Sequence, residues 1–166
     1  MIIEILTIGD EILSGNILDT NKQYLSDQSW SKGLKVAYHS GVCDDEKDIH
    51  DALLLAADRA DVVLCTGGLG PTMDDFTVEV AAKTFGAKLI EHEPTIERLK
   101  AYYEKRGRAF KENSRKQGMI PEGGNTLTND KGTAPGVHYL FKNTHFYFMP
   151  GVPSEMKKMF PTTPSG

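Results

Sequence analysis

Apolar segments of strand length recur along the chain and alternate with longer stretches of helical character. The apolar segments lie at residues 2–8, 34–38, 61–66, 86–90, 137–141 and 145–149. Because short apolar runs that alternate with helices are typical of parallel sheets, the pattern predicts an α/β fold. The last two segments flank Lys142-Asn143-Thr144, and this spacing predicts a hairpin at 137–149 near the C-terminus.

The stretches between these segments carry helix signals. Residues 46–60 show the helical period, with apolar side chains at Ile49, Ala52, Leu53, Ala56 and Ala60. A helix is also expected from Asp19 or Thr20, which are good N-caps, to just before Gly33. Other helices are expected near Thr77, from Pro94 to about Gly107, from Lys111, and from near Pro153 to Pro161. Residues 121–136 are rich in glycine and proline and predict loops.

Length and composition narrow the possible partners. The 166 residues suit one domain, which we expect to span residues 1–160, with a flexible tail at 161–166. A net charge of −4 disfavours nucleic acid and anionic membranes, so neither is expected as a partner. The two cysteines, Cys43 and Cys65, show no zinc-site spacing and fit a reduced, cytoplasmic protein.

The stretch Thr66-Gly67-Gly68-Leu69-Gly70-Pro71-Thr72-Met73-Asp74-Asp75-Phe76-Thr77 is the strongest candidate for chemistry. Its three glycines let main-chain N–H groups approach a ligand closely, so the turn can hold a phosphate. Asp74 and Asp75 would repel that phosphate unless a cation lies between the negative groups. The stretch therefore predicts a cation-assisted phosphate or pyrophosphate site.

Acidic residues also follow two other predicted strands, at Gly9-Asp10-Glu11 and at Asp44-Asp45-Glu46. If the strands are parallel neighbours, these acids converge with Asp74-Asp75 on one rim of the sheet. Clustered carboxylates raise each other's pKa unless a divalent cation or a basic group offsets the repulsion. Mg²⁺ or a similar hard cation is the natural inference.

Simpler interpretations stay open for each element. Asp44-Asp45 and Asp74-Asp75 also suit the positive ends of the helices that follow them. A basic cluster either meets the anionic end of a substrate or is a solvated face; it consists of Lys105, Arg106, Arg108, Lys111, Arg115 and Lys116.

Several segments together resemble the MoaB/Mog-type molybdopterin-binding domain, and specifically the N-terminal domain of CinA-like competence/damage-inducible proteins. The matching segments are Gly9-Asp10-Glu11-Ile12-Leu13-x-Gly15, Asp19-Thr20-Asn21, the stretch 66–77, Asn129-x-x-Gly132-Thr133-Ala134-Pro135-Gly136, and Pro150-Gly151-Val152-Pro153-Ser154-Glu155-Met156. The resemblance implies a three-layer α/β/α fold around a mostly parallel sheet, and a homo-oligomer, either a dimer or a trimer.

The resemblance also implies an activity. In the CinA-like branch this is hydrolysis of ADP-ribose to AMP and ribose 5-phosphate, dependent on a divalent metal and potassium. In molybdenum-cofactor members, acids equivalent to Asp44 and Asp75 belong to a site that handles molybdopterin and its adenylylation. We therefore expect an ADP-ribose pyrophosphatase-type hydrolase, with molybdopterin binding or adenylylation, or a non-catalytic nucleotide-binding module, as alternatives.

The residues and the resemblance together assign the candidate site. Asp75 is the preferred general base or metal ligand, Asp74 and Asp44 are further catalytic candidates, and Asp10, Asp44 and Asp75 are the expected metal ligands. The expected contacts to the nucleotide or pterin substrate come from Gly9, Asp10, Glu11, Asn21, Thr66, Gly67, Gly68, Gly70, Pro71, Thr72, Thr77, Asn113, Gly136, Pro150, Gly151 and Pro153.

Overall fold

Eight strands and seven helices make up the part of the chain that the structure, a computed structural model, describes, residues 1–160. The strands are β1 Ile2–Ile8, β2 Lys35–Val42, β3 Val62–Thr66, β4 Leu89–Glu91, β5 Met119–Pro121, β6 Asn125–Leu127, β7 Gly136–Phe141 and β8 Thr144–Met149. The helices are α1 Asp10–Leu13, α2 Thr20–Ser31, α3 Glu46–Arg59, α4 Thr77–Phe85, α5 Glu93–Lys105, α6 Glu112–Arg115 and α7 Pro153–Met159, and a 3-10 turn covers Lys116–Gly118.

Six of the strands form one mixed sheet in the order β2-β1-β3-β8-β7-β6. The first four strands are parallel, whereas β7 and β6 run antiparallel to their neighbours. The chain leaves β1 toward β2 on one side and later returns to β3 on the other. Such a reversal of strand order opens a crevice beyond the carboxyl ends of the central strands, where ligands of open α/β sheets bind.

Helices cover both faces of this sheet and confirm the three-layer α/β/α prediction. On one face, Ile49 and Leu53 of α3 and Phe85 of α4 pack against β1, β3, β7 and β8. On the other face, Leu25 of α2 and Met156 of α7 pack against the opposite side of the strands. The central strands β1, β3 and β8 are therefore buried on both faces, as apolar parallel strands require.

One carboxylate is enclosed in the first of these two apolar layers. Glu4, on β1, is 1% exposed. Its Oε1 accepts from Arg59 Nη2 at 2.7 Å and from Ser40 Oγ at 2.6 Å, and its Oε2 accepts from Arg59 Nε at 2.8 Å. The hydrogen bond to Glu4 raises the pKa of Arg59. Glu4 thus has an arginine partner and hydrogen bonds at both oxygens inside the fold.

Two sequence predictions need correction. The segment 86–90 is not a strand of the main sheet: Gly86, at φ 70°, ends α4, and β4 then pairs with β5 in a separate two-stranded sheet. The predicted loop region 121–136 contains β6, which extends the main sheet at its antiparallel edge. The predicted hairpin is confirmed as β7 and β8. The flexible tail and the helix stop at Pro161 lie outside the described residues.

Candidate functional site

Four loops meet at the carboxyl edge of the parallel strands. The loops after β1 and β2 are joined by reciprocal bonds, because Asp10 N donates to Asp44 Oδ2 at 3.1 Å and Asp44 N donates to Asp10 Oδ1 at 2.9 Å. The loop after β3 meets the end of β8 where Gly67 N donates to Met149 O at 3.0 Å. The edge thus gathers the acidic loops and the glycine turn that the sequence placed after separate strands.

Gly67 and Gly68 are required by close packing at the bottom of the site. At Gly67, with φ 104°, a Cβ would lie 2.0 Å from the backbone oxygen of Ile8. At Gly68, with φ 74°, it would lie 1.9 Å from Thr77 Oγ1. Both positions combine positive φ with a contact that no side chain tolerates.

The same packing uses the backbone carbonyl groups of the turn and leaves several of its N–H groups free. The carbonyl oxygens are held from behind: Thr77 Oγ1 donates to Gly67 O, Thr77 N to Gly68 O, and Gln117 Nε2 to Leu69 O. Among the residues described, the N–H groups of Gly68, Leu69 and Gly70 donate to no protein acceptor. Successive free N–H groups of this kind form an anion-binding nest. The turn, Gly67–Gly70, is therefore equipped to hold a phosphate.

The acids beside the turn face one another without a basic partner. Burial raises the pKa of the Asp44 carboxyl above its usual range; the hydrogen bond from Asp10 opposes this, while the charges of Asp10, Glu11 and Asp75 raise it further. The Asp75 carboxylate is oriented by Thr72, whose N and Oγ1 donate to Asp75 Oδ2 at 2.9 and 2.6 Å. No salt bridge involves Asp10, Asp44 or Asp75 within residues 1–160.

The acidic residues fit a divalent cation only in combination with a ligand. In residues 1–160, no three His, Cys, Asp or Glu side chains stand close enough to hold a metal by themselves. Mg²⁺, however, is commonly held by one or two carboxylates together with substrate phosphates and water. Asp44 and Asp75 line the cavity that contains the N–H nest, so a phosphate on the turn would supply the oxygens that the protein does not.

A cavity of about 620 Å³ occupies this edge of the sheet. Its volume lies in the range of about 300–1,000 Å³ usual for small-molecule sites. The predicted site residues that line it are Gly9, Glu11, Asn21, Asp44, Thr66, Gly67, Gly68, Gly70, Pro71, Thr72, Asp74, Asp75, Pro150, Gly151 and Pro153.

Four predicted site residues lie outside the lining. Asp10 is bonded behind Asp44, and Thr77 is buried behind the glycine turn. Gly136 begins β7, where a Cβ would lie 3.0 Å from the Leu127 Cβ, so its small size serves packing of the sheet. Asn113 is exposed on α6.

Other lining residues were not among the predicted site residues. Asp19 caps α2 through Lys22 N and also accepts from Thr7 Oγ1 at 2.6 Å. Glu155 accepts from Asn129 Nδ2 at 2.9 Å. Both acids belong to segments that carried the resemblance, so the sequence could have identified them as site residues. Gln117 had no such signal, because it reaches the turn only through the tertiary fold.

The basic cluster at 105–116 divides between two roles. Arg106 stacks over Tyr102, with 3.6 Å from Cζ to the ring centroid, and Arg115 donates to Glu91 Oε1 at 2.7 Å. Lys116 instead donates to the backbone oxygens of Thr72 and Asp75. Lys116 thereby holds the loop that carries Asp75.

Known proteins share both the sequence and the architecture of this chain. Residues 4–164 match a family model described as a probable molybdopterin binding domain. A CinA-like protein from Dictyoglomus thermophilum is 46% identical over 159 residues, which are 96% of this chain and 39% of that protein. The chain thus spans about two fifths of the length of that curated relative.

Solved structures of related proteins have the same fold as this chain. The protein CinA from Thermoplasma acidophilum superposes with a TM-score of 0.90 at 33% identity, covering 97% of this chain and 94% of its own. The molybdopterin biosynthesis enzyme MoaB from Thermus thermophilus superposes with a TM-score of 0.65 at 21% identity, covering 98% and 91%, which shows a shared fold. Within residues 1–160, no helix combines the length and apolarity needed to cross a bilayer.

Proposed function

Because the chain belongs to the family of molybdopterin-binding domains and is related to CinA-like proteins, we propose that it hydrolyses the diphosphate of a nucleoside diphosphate-linked sugar. ADP-ribose, cleaved to AMP and ribose 5-phosphate, is the substrate we expect. The observation that carries this proposal is the N–H nest of Gly68–Gly70 in the same cavity as Asp44 and Asp75. The nest can bind a phosphate, and the two aspartates can take part in its hydrolysis.

The residues divide the work as follows. The N–H nest binds one phosphate and fixes it against the wall formed by the glycine turn. Asp75, oriented by Thr72, together with Asp44, would hold a divalent cation between protein and phosphate. When bound, the cation would neutralise charge on the phosphate oxygens.

A carboxylate then completes the hydrolysis. A water oxygen forms a new bond to one phosphorus, the bond from that phosphorus to the bridging oxygen breaks, and the second phosphate leaves with its electron pair. Asp44 accepts the proton of the attacking water, because its carboxylate lines the cavity beside the glycine turn. Potassium and homo-oligomerisation remain expectations from the resemblance, and a cytoplasmic location remains an expectation from the two cysteines.

Release of AMP from ADP-ribose tests the proposal. We expect turnover with Mg²⁺, none with chelator, and a loss of about 100-fold or more in Asp75→Asn. Asp45→Asn is the matched control, because Asp45 only caps α3 by accepting from Asp48 N, and asparagine caps equally well. Full activity in Asp75→Asn would remove that residue from the mechanism.

A second function has its own support. The family model describes a molybdopterin-binding domain, and the fold is shared with MoaB, so binding or adenylylation of molybdopterin is the alternative. Calorimetry with molybdopterin and with its adenylylated form separates the two. Tight pterin binding, combined with no AMP release under any divalent metal, would favour the alternative.

A further inference from the structure

Two buried amide oxygens beside the glycine turn have no hydrogen-bond donor. Asn21 Oδ1 and Gln117 Oε1 accept from no residue that the structure describes. The two residues are 7% and 6% exposed, and both line the cavity. An unpaired buried acceptor destabilises the free protein, so a hydrogen-bond donor on a bound ligand would favour binding.

The orientation of each amide is fixed by its own donor group. Asn21 Nδ2 donates to Gly151 O at 2.7 Å, and Gln117 Nε2 donates to Leu69 O at 3.2 Å. Because a backbone carbonyl can only accept, the nitrogen of each amide must face it. The unpaired atoms are therefore oxygens, which can accept from hydroxyl or amino groups but not from phosphate.

The two oxygens belong to different points along the turn. Asn21 is hydrogen-bonded to Gly151. Gly151 in turn packs against Gly67, since a Cβ added to Gly151 would lie 3.5 Å from the Cα of Gly67. Asn21 is therefore anchored beside the beginning of the turn. Gln117 is bonded at Leu69, within the N–H nest. The two side chains with unpaired acceptors are therefore anchored at different points of the glycine turn.

This inference rests on the proposed function: we propose that Asn21 and Gln117 recognise hydrogen-bond donors on the two substituents of a bound diphosphate. The ligand class is a diphosphate substituted at both ends by groups that carry hydroxyl or amino donors. Inorganic diphosphate has neither substituent and is disfavoured. In this proposal Gln117 determines specificity, a role that differs from those of the cavity acids and glycines.

Calorimetry with two non-hydrolysable probes tests this in the presence of Mg²⁺. The probes are the methylene-bridged analogue of ADP-ribose and methylenediphosphonate, and the readout is the ratio of their affinities. We expect the analogue to bind the wild-type chain about tenfold or more tightly than methylenediphosphonate, because the analogue adds two hydrogen bonds.

Matched substitutions separate recognition from support of the turn. Gln117→Met and Gln117→Glu both lose the bond to Leu69, but only Gln117→Glu keeps an acceptor. We expect the affinity ratio to fall about fivefold in Gln117→Met and to persist in Gln117→Glu. Asn21→Leu and Asn21→Asp form the same pair. A purely structural role would weaken both probes equally and leave every ratio unchanged, which would overturn the proposal.

The wild-type chain supplies a test that requires no variant. Analogues of the methylene-bridged compound that lack single hydroxyl or amino groups should include members that bind about fivefold or more weakly. Equal affinity for the whole series, or for the analogue and methylenediphosphonate, would contradict the inference. Failure to release AMP from ADP-ribose, with the ratios as expected, would instead remove the hydrolytic function and leave the recognition intact.

Discussion

Two groups of carboxylates on the same sheet have opposite surroundings. Glu4 is enclosed near the middle of β1, where Arg59 and Ser40 satisfy both of its oxygens. Asp44 and Asp75, at the carboxyl edge, have backbone and hydroxyl donors but no cation. A buried carboxylate without a counter-charge destabilises the fold, so Glu4 is paired. Acids left unpaired at a cavity are available to a ligand instead.

The contrast separates support of the fold from capacity for chemistry. The hydrogen bond to Glu4 raises the pKa of its partner Arg59, whereas burial and the charges of neighbouring acids raise the pKa of Asp44. Perturbed carboxylates in a cleft are typical of functional sites. Substitutions in the two regions should therefore affect different measurements.

The largest effect is expected at the structural pair. Arg59→Met leaves the charge of Glu4 buried and unpaired, and we expect the free energy of unfolding to fall by about 3–5 kcal/mol. Urea denaturation measures it. Arg106→Met, which removes an exposed arginine stacked on Tyr102, is the control and should change stability by less than about 1 kcal/mol. A small loss in Arg59→Met would mean that Glu4 finds another partner.

Asp44→Asn should give the reverse result. Turnover of ADP-ribose is expected to fall by about 100-fold, because the proton acceptor is lost. Stability should not fall, since the substitution removes repulsion with Asp10, Glu11 and Asp75. Kinetic assays and urea denaturation of the same preparation check both. Loss of stability without loss of turnover would place Asp44 with Glu4 as a structural acid.

Thr72 tests whether the orientation of Asp75 matters. Thr72→Val removes the hydroxyl that donates to Asp75 Oδ2 at 2.6 Å, and we expect kcat/KM to fall by about tenfold. Thr72→Ser keeps that hydroxyl and should retain most of the activity. If serine and valine behave alike, the backbone N–H of Thr72 alone fixes the carboxylate.

A pair of histidines gives the smallest effect. His138 Nε2 lies 2.9 Å from His145 Nδ1, and burial, with the charge of His145, lowers the pKa of His138. His138 therefore becomes protonated at a higher pH in the unfolded chain than in the folded one. Stability should decrease as the pH falls from 7.5 through the usual histidine range, and less so in His138→Gln. Urea denaturation at several pH values checks this.

The sequence was most informative where function depends on position after a strand. Asp10, Asp44 and the glycine turn follow β1, β2 and β3, and parallel strands bring such loops to one edge. It was least informative where three-residue strands depend on their partners: β6 and the β4–β5 pair carry no period of their own. Gln117 could not be assigned because its contact with Leu69 joins residues that are 48 positions apart.

The close contacts of Gly67 and Gly68 also limit how the site can be transferred to other proteins. Gly67 packs closely against the backbone oxygen of Ile8, and Gly68 packs closely against the hydroxyl of Thr77. Grafting residues 66–77 alone onto another α/β scaffold would therefore not recreate the anion cradle. The recipient would also need a neighbouring strand that ends at the same height and a helix that continues from Thr77 and keeps it buried.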